Sequence, residues 1–576
     1  MRHAFFAGLL AAPASVCAVA LTGYEYIVVG SGAGGGPLAA RLALAGHKTL
    51  LIEAGDDYAS LNYTVPAYSA NASEDPEISW NFFVRHYADD ERQARDYKTT
   101  YDTPNGEYTG LNPPEGAEMK GTLYPRTQAL GGCTAHNALI AVYPHQSDFE
   151  YIASLTGDDS WSADNMRKYF VKAEDNNYRP AGEAGHGYDG WLSTETAPLS
   201  IPLNDEQLFS ILGGGAVALT EMSGKNITLD GLLADDANAD TLARDQEAGF
   251  YQIPLSTKDA SRIGPREFIL SVRDAKHPNG TKKYPLDVRT NCYVTKVTFD
   301  DSKPPRANGV EFLDGKHLYK ASPLATGAAG TPGNATASRE VVVAGGVYNT
   351  PQILKLSGIG PADELKKFDI PVVSDLPGVG TNLQDHYEIS VQGTLENNFT
   401  SFDGCTFGLY TDEDPCVDRW RQLAHPRNTA GEVLLKSADP LDMPAITFNY
   451  FDTGNGDSSA DLQALYEAVE LTRSALANQP VNVTEVLPGA GVTSQKDIET
   501  YVKDVAWGHH ASSTCPIGAD DDKMAVLDSK FRVRGVAGLR VVDASVYPRI
   551  PGTFTAVSTY MVAEKAADVM LAELEE

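Results

Sequence analysis

Hydrophobic and polar positions near the start of the chain follow first a strand pattern and then a helix pattern. Residues 26–29 are Tyr-Ile-Val-Val, a short apolar run typical of a buried strand. A glycine-rich stretch follows, and residues 38–44 then carry the leucine and alanine spacing of a packed helix. A second apolar run at 49–52 ends at Glu53. The pattern predicts a strand–turn–helix–strand unit.

The same patterning predicts the rest of the chain less evenly. Residues 57–120 are polar and irregular, and we expect a long excursion over the surface. Residues 322–338 are rich in Ala, Gly, Pro and Thr and predict an exposed loop. The remaining predicted segments are helices at 161–245, short strands at 286–320, a strand at 341–344 followed by a Gly-Gly turn and a helix, a loop at 400–425, an amphipathic helix at 459–478, and a strand, long turn and helix at 538–576.

Length and charge narrow the classes of function. The chain has 576 residues and a mass of 61.8 kDa, enough for two or three domains or for one large cofactor fold with insertions. Its formal net charge is −31 and its pI is about 4.7. Such a surface repels phosphate backbones and anionic membranes, so we expect neither nucleic acid nor a membrane as a partner.

The N-terminal segment is typical of a signal peptide over residues 1–20. Arg2 and His3 precede an apolar run that ends in small residues, although an ordinary N-terminal arm is the alternative. No second apolar stretch reaches membrane-spanning length. Together with seven glycosylation sequons, the segment predicts a secreted glycoprotein. The sequon residues are Asn62, Asn71, Asn226, Asn279, Asn334, Asn398 and Asn482.

Six cysteines fit an oxidising compartment. Cys17 lies in the predicted signal peptide, and Cys405 and Cys416 lie close together in a polar loop, where we predict a disulfide. No Cys/His cluster has the spacing of a metal site, so none is predicted. The other three cysteines are expected to be buried thiols: Cys133, Cys292 and Cys515.

The glycine-rich turn carries the first chemical signature. Gly30, Gly32 and Gly35 match G-x-G-x-x-G between the first strand and the first helix. A helix that starts here directs its N–H groups at phosphates. Glu53, at the end of the next strand, is placed to accept ribose hydroxyls and disfavours a 2′-phosphate. The residues therefore predict a dinucleotide site for FAD or NAD.

Four further segments share a longer pattern. The first reads Tyr-Pro-Arg-Thr-Gln-Ala-Leu-Gly-Gly-Cys-Thr-Ala-His-Asn-Ala at 124–138, and the second lies at 350–360. The third is Pro-Gly-Val-Gly-Thr-Asn-Leu-Gln-Asp-His at 377–386, and the fourth lies at 538–545. In content and in their order along most of the chain, the segments resemble those of the glucose–methanol–choline (GMC) oxidoreductase family. In that family the first lies beside the flavin, the second is the family's second signature and the fourth is a flavin-binding strand.

This resemblance implies an α/β fold with a Rossmann-like FAD-binding domain and a discontinuous α+β substrate (cap) domain. It also implies FAD as the cofactor, a small-molecule alcohol as substrate, and oxygen or another electron acceptor. The expected division is 21–150, 246–385 and 501–576 for FAD binding and 151–245 and 386–500 for the cap. Besides Gly30, Gly32, Gly35 and Glu53, the expected cofactor-binding residues are Gly131, Gly132, His136, Asn137, Val294 and Asp543.

His136 carries a more specific expectation. The segment Gly-Gly-Cys-Thr-Ala-His-Asn is similar to Gly-Gly-Cys-Ser-Ser-His-Asn of choline oxidases, in which the histidine is bonded covalently to the flavin. The resemblance implies a histidyl-FAD link. The alternative is a histidine that packs beside the flavin edge.

His510 is the candidate catalytic residue. Family members carry a catalytic histidine four residues before a Thr-Cys or Thr-Val pair, which selects His510 over His509. An imidazole suits the task because alcohol oxidation by hydride transfer needs a base for the hydroxyl proton. The family's second His or Asn falls at Phe554, which cannot hydrogen-bond through its ring. Thr553 or Thr555 would replace it only if the loop shifts.

Three functions follow from these patterns. The leading one is a secreted FAD-dependent alcohol oxidase or dehydrogenase. The second is a GMC-like flavoprotein with a non-redox role, such as cyclisation in secondary metabolism, which the departure at Phe554 leaves open. The third is a flavin-free carbohydrate-binding or structural glycoprotein, against which the intact glycine fingerprint argues.

Overall fold

The computed structural model describes residues 19–397, 399–400, 422–424, 426–451, 458–552 and 554–575. The helices in these residues are α1 Gly35–Leu44, α2 Leu61–Thr64, α3 Ser69–Glu74, α4 Asp90–Gln93, α5 Gln146–Thr156, α6 Ala163–Ala173, α7 Ser200–Leu203, α8 Glu206–Ser223, α9 Gly231–Ala234, α10 Leu242–Gln246, α11 Pro265–Arg273, α12 Gly346–Leu356, α13 Ala362–Lys367, α14 Ser458–Ala477, α15 Gln495–Val505 and α16 Thr555–Ala572. Within these residues every helix is too short or too polar to cross a membrane.

The strands of the described residues are β1 Val19–Val29, β2 Thr49–Ile52, β3 Ser79–Val84, β4 Thr99–Thr103, β5 Gly106–Thr109, β6 Glu118–Thr127, β7 Glu174–Asn176, β8 Leu192–Thr196, β9 Pro254–Leu255, β10 Thr257–Lys258, β11 Ser261–Arg262, β12 Leu286–Arg289, β13 Cys292–Phe299, β14 Ala307–Asp314, β15 Thr331–Val343, β16 Ile359–Gly360, β17 Ser374–Asp375, β18 Tyr387–Ile389, β19 Gln392–Leu395, β20 Gln422–Ala424, β21 Glu432–Leu434, β22 Ala445–Thr447, β23 Val483–Leu487 and β24 Leu539–Val541.

A seven-stranded mixed sheet forms the centre of the molecule. Its order is β12-β2-β1-β15-β14-β13, and β24 pairs with the end of β15. The strands β12, β2, β1, β15 and β24 are parallel, whereas β14 and β13 add antiparallel pairs. Helix α1 packs against α11 and α16, so the apolar strand centres are buried. The predicted strand–turn–helix–strand unit is confirmed as β1, α1 and β2.

Most of the other predicted elements are also confirmed. Helices α6 and α8 to α10 lie in the predicted helical region, and β12 to β14 are the predicted short strands. The amphipathic helix is α14, and β24 and α16 form the C-terminal strand and helix. The domain boundaries predicted from the sequence remain a prediction.

The expectation of an irregular excursion over residues 57–120 is wrong. A four-stranded antiparallel sheet, in the order β3-β6-β4-β5, lies mostly within this range. Trp80, Phe82 and Val84 are buried in a second apolar core together with residues of α14 and α15. The scattered Pro, Asn and Asp residues concealed the strand pattern in the sequence. The strands form because they pair with partners up to 48 positions away, as Ser79 does with Thr127.

The loop predicted at 322–338 is also wrong in its second half. Strand β15 begins at Thr331, and its first residues pair with β1 on one side and β14 on the other. Small residues suit this place: a Cβ on Gly333 would lie 2.3 Å from the Phe312 ring and 2.9 Å from the Val19 carbonyl oxygen. Two framing strands therefore overrode a composition typical of a loop.

The structure tests the predictions for the N-terminal segment and the cysteines only in part. Strand β1 already begins at Val19, inside the predicted signal range, and Val19 pairs with Gly333. Cys292 and Cys515 are buried free thiols as predicted, whereas Cys133 is a half-buried free thiol. The predicted Cys405–Cys416 disulfide, like most of the predicted loop at 400–425, lies outside the described residues.

A buried histidine ties two distant segments together beside β7. His186 contacts Glu174 through Nδ1 at 2.8 Å and Asp236 through Nε2 at 2.7 Å. Burial lowers the pKa of His186, but the hydrogen bonds to Asp236 and Glu174 outweigh it and raise the pKa to about 9. The protonated imidazolium therefore bridges two buried carboxylates in the folded protein.

This bridge predicts a pH-dependent stability. An unfolded histidine titrates near about 6.5, so the contribution of His186 is full below that pH and is lost as pH rises through about 9. Replacing His186 by Gln should lower the free energy of unfolding by about 2 kcal/mol at pH 6 and by much less at pH 9.5. Urea unfolding at both pH values measures this. The exposed His277→Gln variant is the control, and an equal loss at both pH values would contradict the bridge.

Candidate functional site

The predicted site residues converge on one cavity of about 1900 Å³. This volume exceeds the roughly 300–1,000 Å³ of an ordinary small-ligand pocket and leaves room for a dinucleotide and a substrate. The predicted residues that line it are Gly30, Gly32, Glu53, Gly132, His136, Asn137, Val294, His510 and Asp543. Gly35 and Gly131 do not line it. They lie just behind, in the first turn of α1 and at the start of the Gly132–Ala135 turn.

The glycine-rich turn after β1 forms one end of the cavity. Gly30 has φ +95°, and a Cβ there would lie 2.2 Å from the Ala344 carbonyl oxygen at the end of β15. The turn is thus pressed against the neighbouring strand end. Only glycine adopts this conformation without strain and leaves room for that contact.

A second glycine turn lies directly against the first. Gly132 has φ +58°, and a Cβ there would lie 2.7 Å from the Gly32 Cα. The Gly131 amide donates to Ser31 Oγ at 3.0 Å, which joins the two turns. The chain leaves open space beside both turns where a flat or phosphate-bearing ligand can approach the backbone.

Glu53 lies where β2 ends at the cavity wall. Its carboxylate accepts hydrogen bonds from Ser31 N at 3.0 Å, Ser31 Oγ at 2.6 Å and Gly55 N at 2.8 Å. Burial raises the pKa of Glu53, and these hydrogen bonds oppose the rise. Glu53 therefore holds the glycine turn in place as well as facing the cavity, and its bond to a ribose remains a prediction.

The other predicted cofactor residues are held by distant parts of the chain. Asp543 Oδ2 accepts from Gly346 N at 2.9 Å and Thr350 Oγ1 at 2.6 Å, which ties it to the start of α12. Asn137 Oδ1 accepts from Arg262 Nη1 at 2.7 Å. The remaining residue, Val294, is a buried cavity-lining side chain on β13.

His136 lies in the cavity as a neutral imidazole. Burial, together with the cations Arg126 and Arg262, lowers the pKa of His136 to about 3. Its Nε2 is buried and has no hydrogen-bond partner in the described part of the chain. A ring nitrogen that is buried without a hydrogen-bond partner is costly in either tautomer, which indicates that a bound group completes its surroundings.

His510 is fixed in backbone and in ring. Its amide donates to Asp385 Oδ1 at 2.7 Å, and its Nδ1 lies 3.2 Å from His386 Nδ1. The Phe554 ring meets it edge-on, with centroids 5.5 Å apart. Phe554 thus lies beside the candidate base, at the position that the family register implies. Thr555 begins α16 and lines the cavity, and Thr553 lies outside the described residues.

Sequence reasoning missed the polar residues behind His510. Asp385 is buried, and its Oδ2 accepts from Tyr124 at 2.9 Å and Tyr450 at 3.1 Å. Burial raises the pKa of Asp385 to about 7, against the hydrogen bonds it accepts. Tyr124 and Asp385 lie in two of the segments that resemble the family, and this resemblance is the signal that could have identified them. Tyr450 carried none.

The residues present fit FAD. The two glycine turns leave the backbone open to a pyrophosphate, Glu53 faces the same cavity, and the unpartnered His136 nitrogen lies farther along it. His510 lines the same cavity, so a base and a bound flavin would share one enclosed space.

Comparisons with known proteins agree with this reading. The N-terminal GMC oxidoreductase family model matches residues 24–388, and the C-terminal model matches residues 426–563. The oxygen-dependent choline dehydrogenase of Yersinia pestis is 28% identical, with 95% of this chain and 93% of that protein covered.

Solved structures share the fold. Pyridoxine 4-oxidase from Mesorbium loti aligns with a TM-score of 0.70 at 20% identity, over 95% of this chain and 99% of that one. A variant of formate oxidase from Aspergillus oryzae, made to study FAD modification, aligns with a TM-score of 0.71 at 20% identity, over 96% and 99%. With both family models matched in order, the chain belongs to the GMC family of FAD-dependent oxidoreductases, which act on alcohols.

Proposed function

We propose that this enzyme oxidises an alcohol to a carbonyl compound, with His510 as the base that takes the hydroxyl proton. The observation that supports the proposal is the anchoring of His510 inside the cofactor cavity. Its backbone amide donates a hydrogen bond to Asp385, and its ring nitrogen Nδ1 lies within hydrogen-bond distance of His386. The orientation of the imidazole is therefore defined. A base must be held within hydrogen-bond reach of the hydroxyl to act on it.

Bound FAD supplies the acceptor for the hydrogen that leaves the alcohol carbon with two electrons. The chain's own residues do the rest. His510 accepts the hydroxyl proton at a ring nitrogen. Asp385 and Tyr124 hold the backbone, since Tyr124 also accepts from Ala511 N at 2.9 Å. The glycine turns leave room for the cofactor, and the Phe554 ring borders the same cavity on an apolar side.

The apolar Phe554 supports a bulkier or more apolar alcohol than the usual small polar substrates of this fold. Other side chains that line the same cavity agree with this, since many are apolar. They include Ile201, Leu212, Leu232, Phe250, Ile253 and Leu255.

A panel of alcohols tests the proposed function. FAD-loaded protein is mixed with each alcohol under nitrogen, and loss of flavin absorbance near about 450 nm is followed. Peroxide and reduction of a dye acceptor are then measured in air, which separates an oxidase from a dehydrogenase. Phe554 also favours the non-redox flavoprotein as a second candidate. A yellow protein that no alcohol bleaches would favour that candidate.

We further propose that FAD is bonded covalently to His136. The support is the choline-oxidase-like segment together with the neutral, unpartnered Nε2 in the cavity. Acid precipitation should leave yellow colour in the protein pellet, because the bond survives unfolding. The His136→Ala variant should release all of its flavin to the supernatant. Colour confined to the supernatant of the parent protein would contradict the link.

Secretion and glycosylation are proposals as well. They are supported by the N-terminal segment and by four sequon asparagines on exposed surface: Asn226, Asn279, Asn334 and Asn482. An extracellular enzyme meets oxygen or extracellular acceptors directly, which suits either electron acceptor.

A further inference from the structure

A buried carboxylate lies beside the proposed base. Glu388 Oε1 is 3.2 Å from His509 Nε2, and the side chain of Glu388 is only 3% exposed. A carboxylate oxygen of Glu388 and a ring nitrogen from each of His509 and His510 all lie within 4.8 Å of one another. All three residues border the cavity.

The backbone builds this arrangement into the fold. Glu388 lies on β18, and its amide donates to the Trp507 carbonyl at 2.7 Å, while Trp507 N donates back to the Glu388 carbonyl at 3.1 Å. The Trp507 and His509 rings are 5.2 Å apart, and the His509 and His510 rings are 4.2 Å apart. An isolated antiparallel bridge between Glu388 and Trp507 therefore holds the carboxylate beside the segment that carries the two imidazoles.

We propose that Glu388 is a positioning residue for His510, whose carboxylate stabilises the imidazolium formed during alcohol oxidation. The inference rests on the proposed function. In that step the O–H proton moves to His510, the carbon-bound hydrogen leaves with two electrons to FAD, and the C–O bond becomes C=O. His510 gains a positive charge, and a buried carboxylate within 4.8 Å favours that charged form.

The Glu388 carboxylate matters because Phe554 lies beside His510 where a polar side chain would otherwise be expected. The ring meets His510 from one side and offers no hydrogen bond, at the place where relatives carry a polar partner. Glu388 supplies negative charge near the same imidazole. The chain thus replaces a hydrogen-bonding partner of the reaction by an electrostatic one.

Other titratable groups near His510 act differently. His386 lies 3.2 Å from its Nδ1, and His509 lies beside its ring; either one, if protonated, would oppose a charge on His510. Asp385 is bonded to the His510 backbone amide. Among the described groups, the Glu388 carboxylate is the one that clusters with the nitrogens of both neighbouring histidines.

The test is the pH profile of flavin reduction in Glu388→Gln. FAD-loaded parent and variant are mixed with a bleaching alcohol under nitrogen across pH. We expect a maximal rate at least about tenfold lower, because the proton acceptor is a weaker base. The rising limb should also move to lower pH by about one unit or more, because His510 loses a stabilising negative charge. Glu388→Asp should recover part of both effects.

The control is Glu311→Gln, an exposed glutamate on β14 paired with Lys296. It should keep the parent limb and rate. A slower Glu388→Gln enzyme whose limb stays at the parent pH would overturn the proposal, since a purely structural loss does not move a titration. Activity that EDTA abolishes and Zn²⁺ restores would also overturn it and make the three side chains a metal site. A parent protein that no alcohol reduces would instead refute the proposed function itself.

Discussion

His510→Ala should retain bound FAD but reduce it about 10²–10⁴ times more slowly than the parent enzyme. The imidazole does not hold the glycine turns, so flavin content should stay near that of the parent. The alcohol loses its carbon-bound hydrogen readily only as the hydroxyl proton departs, and His510 lines the cavity with its backbone amide hydrogen-bonded to Asp385. Anaerobic stopped-flow reduction with a working alcohol measures the effect.

Two companion variants sharpen this result. His509→Ala should slow flavin reduction far less than His510→Ala, because the His509 ring packs beside the His510 ring and does not take the hydroxyl proton itself. His277→Ala, an exposed histidine outside the cavity, should match the parent. A parent-like His510→Ala beside a stalled His509→Ala would show that the catalytic register is one residue off. If neither variant slows, the base assignment fails and the non-redox flavoprotein gains support.

Gly32→Val should leave the fold intact and weaken FAD binding by about 10–100-fold or more. A Cβ on Gly32 would lie 3.8 Å from the Gly132 Cα and meet no closer protein atom. The added methyl groups would instead occupy the cavity where the pyrophosphate is expected. The loss is measured in a His136→Ala background, where no covalent bond retains the flavin, as flavin content after purification and as affinity for added FAD. Circular dichroism reports the fold.

Gly30→Val is the matched contrast to Gly32→Val. Its Cβ would lie 2.2 Å from the Ala344 carbonyl oxygen, and the residue sits at φ +95°. We expect the free energy of unfolding to fall by about 3 kcal/mol or more and little soluble protein to form. The added side chain would clash with the backbone of the protein and not with the space left for the ligand. A folded Gly32→Val protein with parent-like flavin content would contradict the assignment of this turn to the cofactor.

Phe554 is the main departure of this chain from the family pattern, and it lies beside His510. The family resemblance implies a second His or Asn beside the candidate base, and here the edge-on ring of Phe554 lies in that position. A carboxylate oxygen of Glu388 lies within 4.8 Å of a His510 ring nitrogen, and Asp385, which accepts from Tyr124, also accepts from the His510 backbone amide. Under the two proposals made above, His510 therefore has electrostatic and positional support in place of the second His or Asn that the family resemblance implies.

The local pattern alone predicted the cofactor half of the site. The strand at 26–29, the turn at Gly30 and the end of β2 at Glu53 lie within 28 residues, so their apolar periodicity and glycine spacing carried the prediction. The segment containing His136 and the spacing around His510 carried the family resemblance in the same way. The structure places these residues around one cavity.

Only the tertiary structure decided what surrounds the proposed base His510 and which predicted loops are strands. Tyr124 and Asp385 are 261 positions apart in the sequence. The hydrogen bonds among Tyr124, Asp385, Tyr450 and His510 depend on how β6, the segment before β18 and the segments after β22 and α15 pack together. No local period encodes such contacts. The first half of β15 reads as a loop by composition and becomes a strand because β1 and β14 offer backbone partners on both sides. Side-chain periodicity is a local property of the sequence, whereas strand pairing and buried polar networks arise only when distant segments meet.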